Sequence, residues 1–375
     1  MKFKVSSAEL LHSLSSVLRV IVNKSTSPIL ENFLFVLSED SLEVTAADLG
    51  MTMKIRVPIA EVEETGSVAV PAKILTDTLK EFPDIPIAFS TGIANNTLEL
   101  KGQSGVANIP VFPAEDYPAL AAIQGDSTKV TLPADILLEG INDTIYATAD
   151  EEVRPVMNGI FVELNPDSLA FVATDSHKLV CYNRLDIATE QPASFILPKK
   201  PASILRTILP KAESDITIQF DTKNAYFTFD STIVVCTLLE GNYPAYRSVI
   251  PTNNTNRLYI QRTELLNSVK RVAVCANPAT AILKFSLSYN QLTISSQDLS
   301  ISVSANETIP CEYDGTAMNI GFKSSFIVDV LSNIPFDNLC FELSDSAKAA
   351  LILNGGEKEP NEEIKTLLMP VRIPV

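Results

Sequence analysis

The sequence predicts an α+β protein of three similar domains, each with two helices and antiparallel sheets. Three observations carry that expectation. One short motif occurs three times, as Thr45-Ala46-Ala47-Asp48-Leu49, Ala173-Thr174-Asp175-Ser176-His177-Lys178-Leu179 and Ser295-Ser296-Gln297-Asp298-Leu299. Each copy follows an apolar alternating run, and the aspartates lie 127 and 123 residues apart in a chain of 375. Self-similarity at a third of the length signals an internal triplication. Two amphipathic helix patterns recur in each third. Short alternating strands outnumber them and often follow one another directly, which favours antiparallel sheets with helices gathered on one face.

In chain order, the first helix is expected over residues 7–18, with Leu10, Leu14, Val17 and Leu18 on one face and Ser6 or Ser7 as cap. Strands follow, among them 33–37 and 54–57, then a second helix over 71–79 that ends near Pro83. A segment marked by Pro and Tyr, Phe112-Pro113-Ala114-Glu115-Asp116-Tyr117-Pro118, closes the first third. The central third opens on a helix over 133–141, with Pro133 in a tolerated first-turn position. It continues with a helix over 198–206 near Pro210 and strands at 216–220 and 225–229, and it closes on Asn242-Tyr243-Pro244-Ala245-Tyr246. The last third has helices over 261–269 and 323–331 and a strand at 299–303. Turns are expected at Asn95-Asn96, Asn165-Pro166-Asp167 and Tyr289-Asn290, and a charged hairpin loop at 355–363. Domains are therefore expected at 1–125, 126–252 and 253–375.

Composition excludes several classes. No apolar run approaches the roughly 18 residues of a membrane span, and the start, Met1-Lys2-Phe3-Lys4-Val5, lacks the features of a secretory signal. A cytoplasmic protein is the natural expectation. The five cysteines are odd in number and widely spaced, which reads as buried free thiols. With His12 and His177 as the only histidines, no zinc site can be assembled at ligand spacing. Neither a Walker-type nor a dinucleotide-type glycine motif occurs, so no nucleotide cofactor is expected. Asp175-Ser176-His177 holds the residue types of a hydrolytic triad, but contiguous residues rarely face one another and no G-x-S-x-G elbow supports them. Asp150-Glu151-Glu152 reads as a solvated loop rather than a metal site.

The net charge is −16 and the acidity is spread over all three thirds. Taken alone, this argues against nucleic acid as a partner, since phosphate binding usually needs a basic footprint. One stretch contradicts the global balance: residues 198–212 hold Lys199, Lys200, Arg206 and Lys211 and no acidic residue. Two lysines at a helix N-terminus oppose the helix dipole by a few tenths of a kcal/mol each. Either the helix faces phosphate or the cluster is simply solvated. The apolar and basic end, Leu367-Leu368-Met369-Pro370-Val371-Arg372-Ile373, is likewise open between a packed terminal strand and an exposed site for a partner.

Several motifs, in order and at matching spacings, carry a resemblance over the whole chain. They are Met1-Lys2-Phe3, Pro28-Ile29-Leu30-Glu31-Asn32, Thr45-Ala46-Ala47-Asp48-Leu49, Val70-Pro71-Ala72-Lys73, Val153-Arg154-Pro155-Val156-Met157-Asn158-Gly159, Ala173 to Leu179, Tyr243-Pro244-Ala245-Tyr246-Arg247 and Leu368-Met369-Pro370-Val371-Arg372-Ile373. With these the chain resembles the beta subunits of bacterial DNA polymerase III, the sliding clamps. The resemblance implies the DNA clamp fold: three domains of two helices and two four-stranded sheets, with two chains joined head to tail in a six-domain ring whose helices line the hole. It implies a non-catalytic processivity factor that encircles duplex DNA and tethers the replicative polymerase. The implied partners are double-stranded DNA, the DNA polymerase III alpha subunit, the clamp loader, a second copy of the chain, and other polymerases and repair proteins that dock through short peptide motifs. Such a ring needs only a mildly positive lining and can be acidic elsewhere.

By the same resemblance the DNA-facing positions are Lys24, Lys73, Lys199, Lys200 and Lys323. The partner-peptide pocket falls on Arg154, Met157, Thr174, His177, Leu179, Pro244, Arg247, Val249, Leu367, Met369, Pro370 and Arg372. Three departures from the family pattern stand out: Pro155-Val156 stands where relatives often have an aromatic pair, Ser176 replaces a frequent glycine, and Pro374-Val375 extends the usual end. Two other readings compete: an internally repeated peptide-binding scaffold that never meets DNA, for which the net charge speaks, and a hydrolase at Asp175, Ser176 and His177.

Overall fold

Each of the six α-helices among the described residues begins where a strand runs out. In the computed structural model, which describes residues 1–22, 27–92, 96–103, 105–119, 123, 126–189, 191–357 and 359–373, the first third starts with β1 (Lys2–Ser6) and α1 (Ser7–Val17). Ser6 caps that helix, its hydroxyl accepting from the Glu9 amide. Leu10, Leu14 and Val17 recur at helical spacing and are buried, so the predicted face is the packed one. Then come β2 (Asn32–Leu37), β3 (Ser41–Ala47), β4 (Met51–Pro58), β5 (Glu61–Glu64) and β6 (Gly66–Pro71). The third ends with α2 (Ala72–Lys80), β7 (Pro86–Gly92), β8 (Thr97–Lys101) and β9 (Val106–Pro110).

The central third repeats the pattern with β10 (Thr128–Leu132), α3 (Ala134–Thr144), β11 (Gly159–Asn165), β12 (Ser168–Thr174), β13 (Lys178–Arg184) and β14 (Ala193–Pro198). It finishes with α4 (Lys199–Ile208), β15 (Ile216–Phe220), β16 (Asn224–Phe229) and β17 (Thr232–Thr237). The last third has β18 (Asn256–Gln261), α5 (Arg262–Ala273), β19 (Ile282–Ser288), β20 (Gln291–Asp298), β21 (Val303–Pro310), β22 (Glu312–Tyr313) and β23 (Met318–Lys323). After these come α6 (Ser324–Asn333), β24 (Asn338–Leu343), β25 (Ala350–Asn354) and β26 (Glu362–Leu368). At α5 the Gln261 side chain accepts from the Glu264 amide, so Gln261 caps the helix rather than belonging to it.

The sheets do not respect the thirds. β17 pairs antiparallel with β4, from Thr232↔Ile55 to Cys236↔Met51, and so extends the order β4-β3-β2-β6 to an eight-stranded sheet with β10-β15-β16-β17. β13 pairs antiparallel with β26, from Lys178↔Leu368 to Arg184↔Glu362, building the nine-stranded sheet β14-β11-β12-β13-β26-β25-β24-β18-β22. The chain accordingly forms two compact units, residues 1–136 with 204–238 and residues 137–203 with 239–375. A five-stranded sheet, β5-β1-β7-β8-β9, completes the first unit, and a four-stranded one, β21-β20-β19-β23, completes the second. The short strands β5 and β22 are additions to the expected two four-stranded sheets per third.

The cores are built as the alternation requires. In the first unit Phe3 stacks on Phe89 with ring centroids 4.9 Å apart, and Phe33, Leu42, Val44 and Leu75 are sealed from solvent. In the second unit Leu265, Val269 and Val272 of α5 and Ile327, Val330 and Leu331 of α6 pack with Leu283, Phe285, Phe322 and Phe341. Each such side chain contributes about 1.5–3 kcal/mol by leaving water. Cys181, Cys236 and Cys340 are buried free thiols, whereas Cys275 and Cys311 are only half-buried. Burial pushes the Cys181 and Cys236 thiols up to about 12. Among the described residues no helix is long and apolar enough to cross a membrane.

One expected strand is a turn. Leu299, Ile301 and Val303 alternate with serines, but β20 stops at Asp298 and β21 starts at Val303. The Asp298 carboxylate accepts from the Ser300 amide (3.0 Å) and hydroxyl (2.6 Å), and Ser302 takes a positive φ of 55°. That local bonding closes the hairpin and leaves Leu299 80% exposed.

Candidate functional site

The second copy of the recurring motif makes a tight turn at the end of β12. The Asp175 carboxylate accepts from the backbone amides of His177 and Lys178, both at 2.8 Å. Thr174 donates its hydroxyl to the Lys178 carbonyl (2.8 Å) and accepts from the Ser176 amide (3.1 Å). Ser176 sits at φ 74°, in the left-handed region that favours glycine. Every group of the supposed triad is thereby accounted for otherwise: Asp175 holds backbone, and the His177 ring packs 4.7 Å from Phe326. The hydrolase reading fails on geometry. Among the described residues no group of three or more His, Cys, Asp or Glu could hold a metal ion.

This turn forms one wall of a cavity of about 370 Å³ in the second unit. Lys178 folds back beneath it, only 7% exposed, with Nζ 3.0 Å from Asp175 and 2.7 Å from Asp329 of α6. Burial pulls the Lys178 ammonium down, but hydrogen bonds to Asp329 and Asp175 outweigh it and leave it raised. The opposite wall is the Pro/Tyr segment. Tyr246 donates to Glu163 (2.7 Å), which Arg247 also grips through both terminal nitrogens, while Arg247 lies 4.8 Å over the Tyr246 ring. Phe161 stacks on Tyr243 behind them, at 4.9 Å. Burial pushes Glu163 up, yet the Arg247 and Tyr246 hydrogen bonds prevail and hold it below the usual carboxylate range.

The end of β26 supplies the floor. Leu367 is buried, and the Met369 amide donates to the His177 carbonyl (2.8 Å), placing a 43% exposed Met369 side chain at the mouth. Beyond it the Val371 amide donates to Gly321 of β23 (2.8 Å), where any Cβ would meet the Val371 carbonyl at 2.6 Å. The chain end is packed strand through Leu368, and of its residues Leu367 and Met369 line the cavity.

Of the twelve positions assigned to the pocket, eight line this cavity together: Met157, Thr174, His177, Leu179, Pro244, Val249, Leu367 and Met369. Four do not. Arg154 pairs with Glu151 (3.3 Å), Arg247 is committed to Glu163, and Pro370 and Arg372 lie outside the lining. Ser176, Lys178, Ala245, Tyr246 and Ser248 also line it and were not among the twelve. They sit between assigned residues in the same two turns, so contiguity was the available signal.

Of the five assigned lysines, Lys24 lies outside the described residues, as do Pro374 and Val375. Lys73 is exposed in the first turn of α2. Lys199 opens α4 with Nζ 2.6 Å from Asp150, so this lysine has a structural partner that its sequence position did not reveal. Lys200 beside it is exposed. Lys323 is the cap residue of α6, its Nζ 4.9 Å over the Phe326 ring that also packs on His177.

Comparison with known proteins covers the chain almost end to end. Residues 1–121, 131–245 and 247–372 match the family models of the N-terminal, central and C-terminal domains of the DNA polymerase III beta subunit. The chain is 27% identical over 374 residues to the beta sliding clamp of Pseudomonas aeruginosa and 28% identical over 374 to that of Salmonella typhimurium, covering 100% of each pair. Among solved structures it is similar to a DNA polymerase sliding clamp from Pseudomonas aeruginosa, at 27% identity and TM-score 0.93 with both chains fully covered. It is also similar to a sliding clamp from Bartonella birtlesii bound to griselimycin, at 26% identity and TM-score 0.89, again over 100% of both chains.

Proposed function

Because this chain belongs to the DNA polymerase III beta subunit family, we propose that it is a DNA sliding clamp: a non-catalytic ring that encircles duplex DNA and tethers the replicative polymerase. The observation that carries the ring is a pairing rule. The strand after the first Asp turn, β4, pairs with β17, the last strand of the central third. The strand after the second, β13, pairs with β26, the last strand of the last third. The strand after the third, β21, is a sheet edge, and so is β9, the last strand of the first third. Two copies joined head to tail satisfy the rule for both edges, β21 of each chain meeting β9 of the other. Such closure removes two exposed edges per chain that would otherwise invite open-ended association. The domains of this ring are 1–125, 126–252 and 253–375.

The net charge of −16 fits this role. A topological link needs no tight phosphate contact, and weak contacts from Lys24, Lys73, Lys199, Lys200 and Lys323 permit sliding while an acidic exterior limits stray adhesion. The cavity beside His177 and Met369 then receives short peptides from the alpha subunit, the clamp loader, other polymerases and repair proteins. Apolar anchors enter it, and polar groups at its rim set register. The setting is the cytoplasm.

The decisive experiment is retention on nicked circular DNA, loaded with clamp loader and ATP, before and after the circle is linearised. Retention on the circle with loss on linearisation is expected. Equal retention on both would replace the ring with ordinary DNA affinity.

A further inference from the structure

The first Asp turn is built like the second. The Asp48 carboxylate accepts from the amides of Gly50 (2.8 Å) and Met51 (2.7 Å), as Asp175 does from His177 and Lys178. In both places the strand leaving the turn pairs with the last strand of the following third. In both a Tyr-Pro-Ala segment, Tyr117-Pro118-Ala119 or Tyr243-Pro244-Ala245, folds back with its proline and alanine against the turn. The repeat also reproduces the cavity. In the first unit a space of about 430 Å³ lies between the Asp48 turn, Pro118 and the end of β17, where Val235 and Thr237 contribute to the wall.

What the repeat does not reproduce is the charge. Among the described residues, the lining of the second-unit cavity has His177 and Lys178 and no carboxylate. The lining of the first-unit cavity has, among the described residues, Asp48 and Asp116 and no basic side chain. Gly50 and Met51 stand at the places of His177 and Lys178, and Asp116 stands at that of Asn242. Leu49 projects at the mouth, 82% exposed. A recess of mixed lining, with Ile29, Leu30, Met51 and Val235 among its walls and a carboxylate on its rim, complements an apolar side chain next to a cation.

We propose that this first-unit cavity is a second peptide-docking site, which takes short extended segments carrying an apolar anchor beside a lysine or arginine. The repeat argument rests on the reading of the second-unit cavity as a peptide pocket; the recess and its carboxylates stand without it. Two docking sites that differ in charge on one chain let two partner segments bind at the same time.

The six methionines make the test direct. Met51 lines the first-unit cavity, and Met157 and Met369 line the other. The full-length protein, labelled at the methionine methyls, is titrated with two capped hexapeptides, one with a Leu-Phe anchor flanked by lysines and one with the same anchor flanked by aspartates. The lysine peptide shifts the Met51 methyl saturably, and Asp116→Lys weakens that binding roughly tenfold by turning attraction into repulsion. A lysine peptide that leaves Met51 unmoved, or moves only Met157 and Met369, overturns the proposal. So does an Asp116→Lys variant with unchanged affinity. A lysine peptide that shifts Met51 while the aspartate peptide leaves Met157 and Met369 still would sustain this site and defeat the other.

Discussion

Lys178 Nζ lies 2.7 Å from Asp329 Oδ2, and this contact anchors the turn that walls the second-unit cavity to the middle of α6. The same helix presents Phe326 to the His177 ring and to the ammonium groups of Lys178 and Lys323. One helix therefore touches both a cavity-lining residue and a lysine assigned to DNA.

Asp329→Ala leaves a nearly buried ammonium with Asp175 as its remaining carboxylate. The expected loss is about 1–2 kcal/mol, reduced from that of a fully buried pair because Asp329 is partly exposed. Urea midpoints measure it, and peptide affinity at the cavity falls with it. The Lys178 ammonium is raised in the folded state, so its stabilisation is complete below its ordinary value and is lost as pH rises through the raised one. In Asp329→Asn the alkaline loss of stability is accordingly smaller than in the parent protein; an unchanged alkaline limb would refute the coupling.

Asp143 of α3 has the same sign of pH dependence in a lower window. Burial, with Glu362 and Glu139 nearby, raises its carboxyl from 3.8 to about 7. The folded chain then holds a proton that the unfolded chain releases, so stability declines as pH rises from about 4 to about 7. Asp143→Asn abolishes this decline and stabilises the protein at pH 8 by on the order of 2 kcal/mol. Thermal melts of both proteins across that range check it.

Met369→Ala with Leu179→Ala truncates the mouth and the floor of the cavity. Affinity for an apolar-anchored partner peptide is expected to fall by about 1–3 kcal/mol while the dimer persists. Fluorescence anisotropy reads the first and sedimentation the second. Loss of the dimer, or an unaltered peptide affinity, would reject the assignment.

Lys199→Glu with Lys200→Glu separates the clamp from a scaffold that never meets DNA. Lower polymerase processivity with unchanged peptide binding is expected. Processivity equal to that of the parent would favour the scaffold.

Ser176→Gly relieves the positive φ at the cavity turn. A gain of about 0.5 kcal/mol is expected, the relief of side-chain strain being partly offset by the freer unfolded glycine. Chemical denaturation resolves it, and a destabilised variant would show that the Ser176 hydroxyl, 3.6 Å from the Met157 sulfur, matters more than the backbone.

Much of this protein was legible in the order of its residues. The spacing of Asp48, Asp175 and Asp298 announced the repeat, and Leu10, Leu14 and Val17 marked α1 by periodicity, because turns and amphipathic faces are set by neighbours within a few positions. The alternation of Leu299, Ile301 and Val303 misled for the same reason: periodicity cannot see an Asp298 side chain that closes a hairpin. Only the tertiary structure decided that Lys199 meets Asp150, that Lys178 turns inward to Asp329, and that Arg247 belongs to Glu163. Those partners lie 49, 151 and 84 residues apart in sequence, and no local pattern encodes which carboxylate a cation will reach. The pairing of β4 with β17 and of β13 with β26 has the same character. Sequence alone determined that there are three similar parts; the hydrogen bonds between distant strands determined that they share sheets, and so where the cavities between them form.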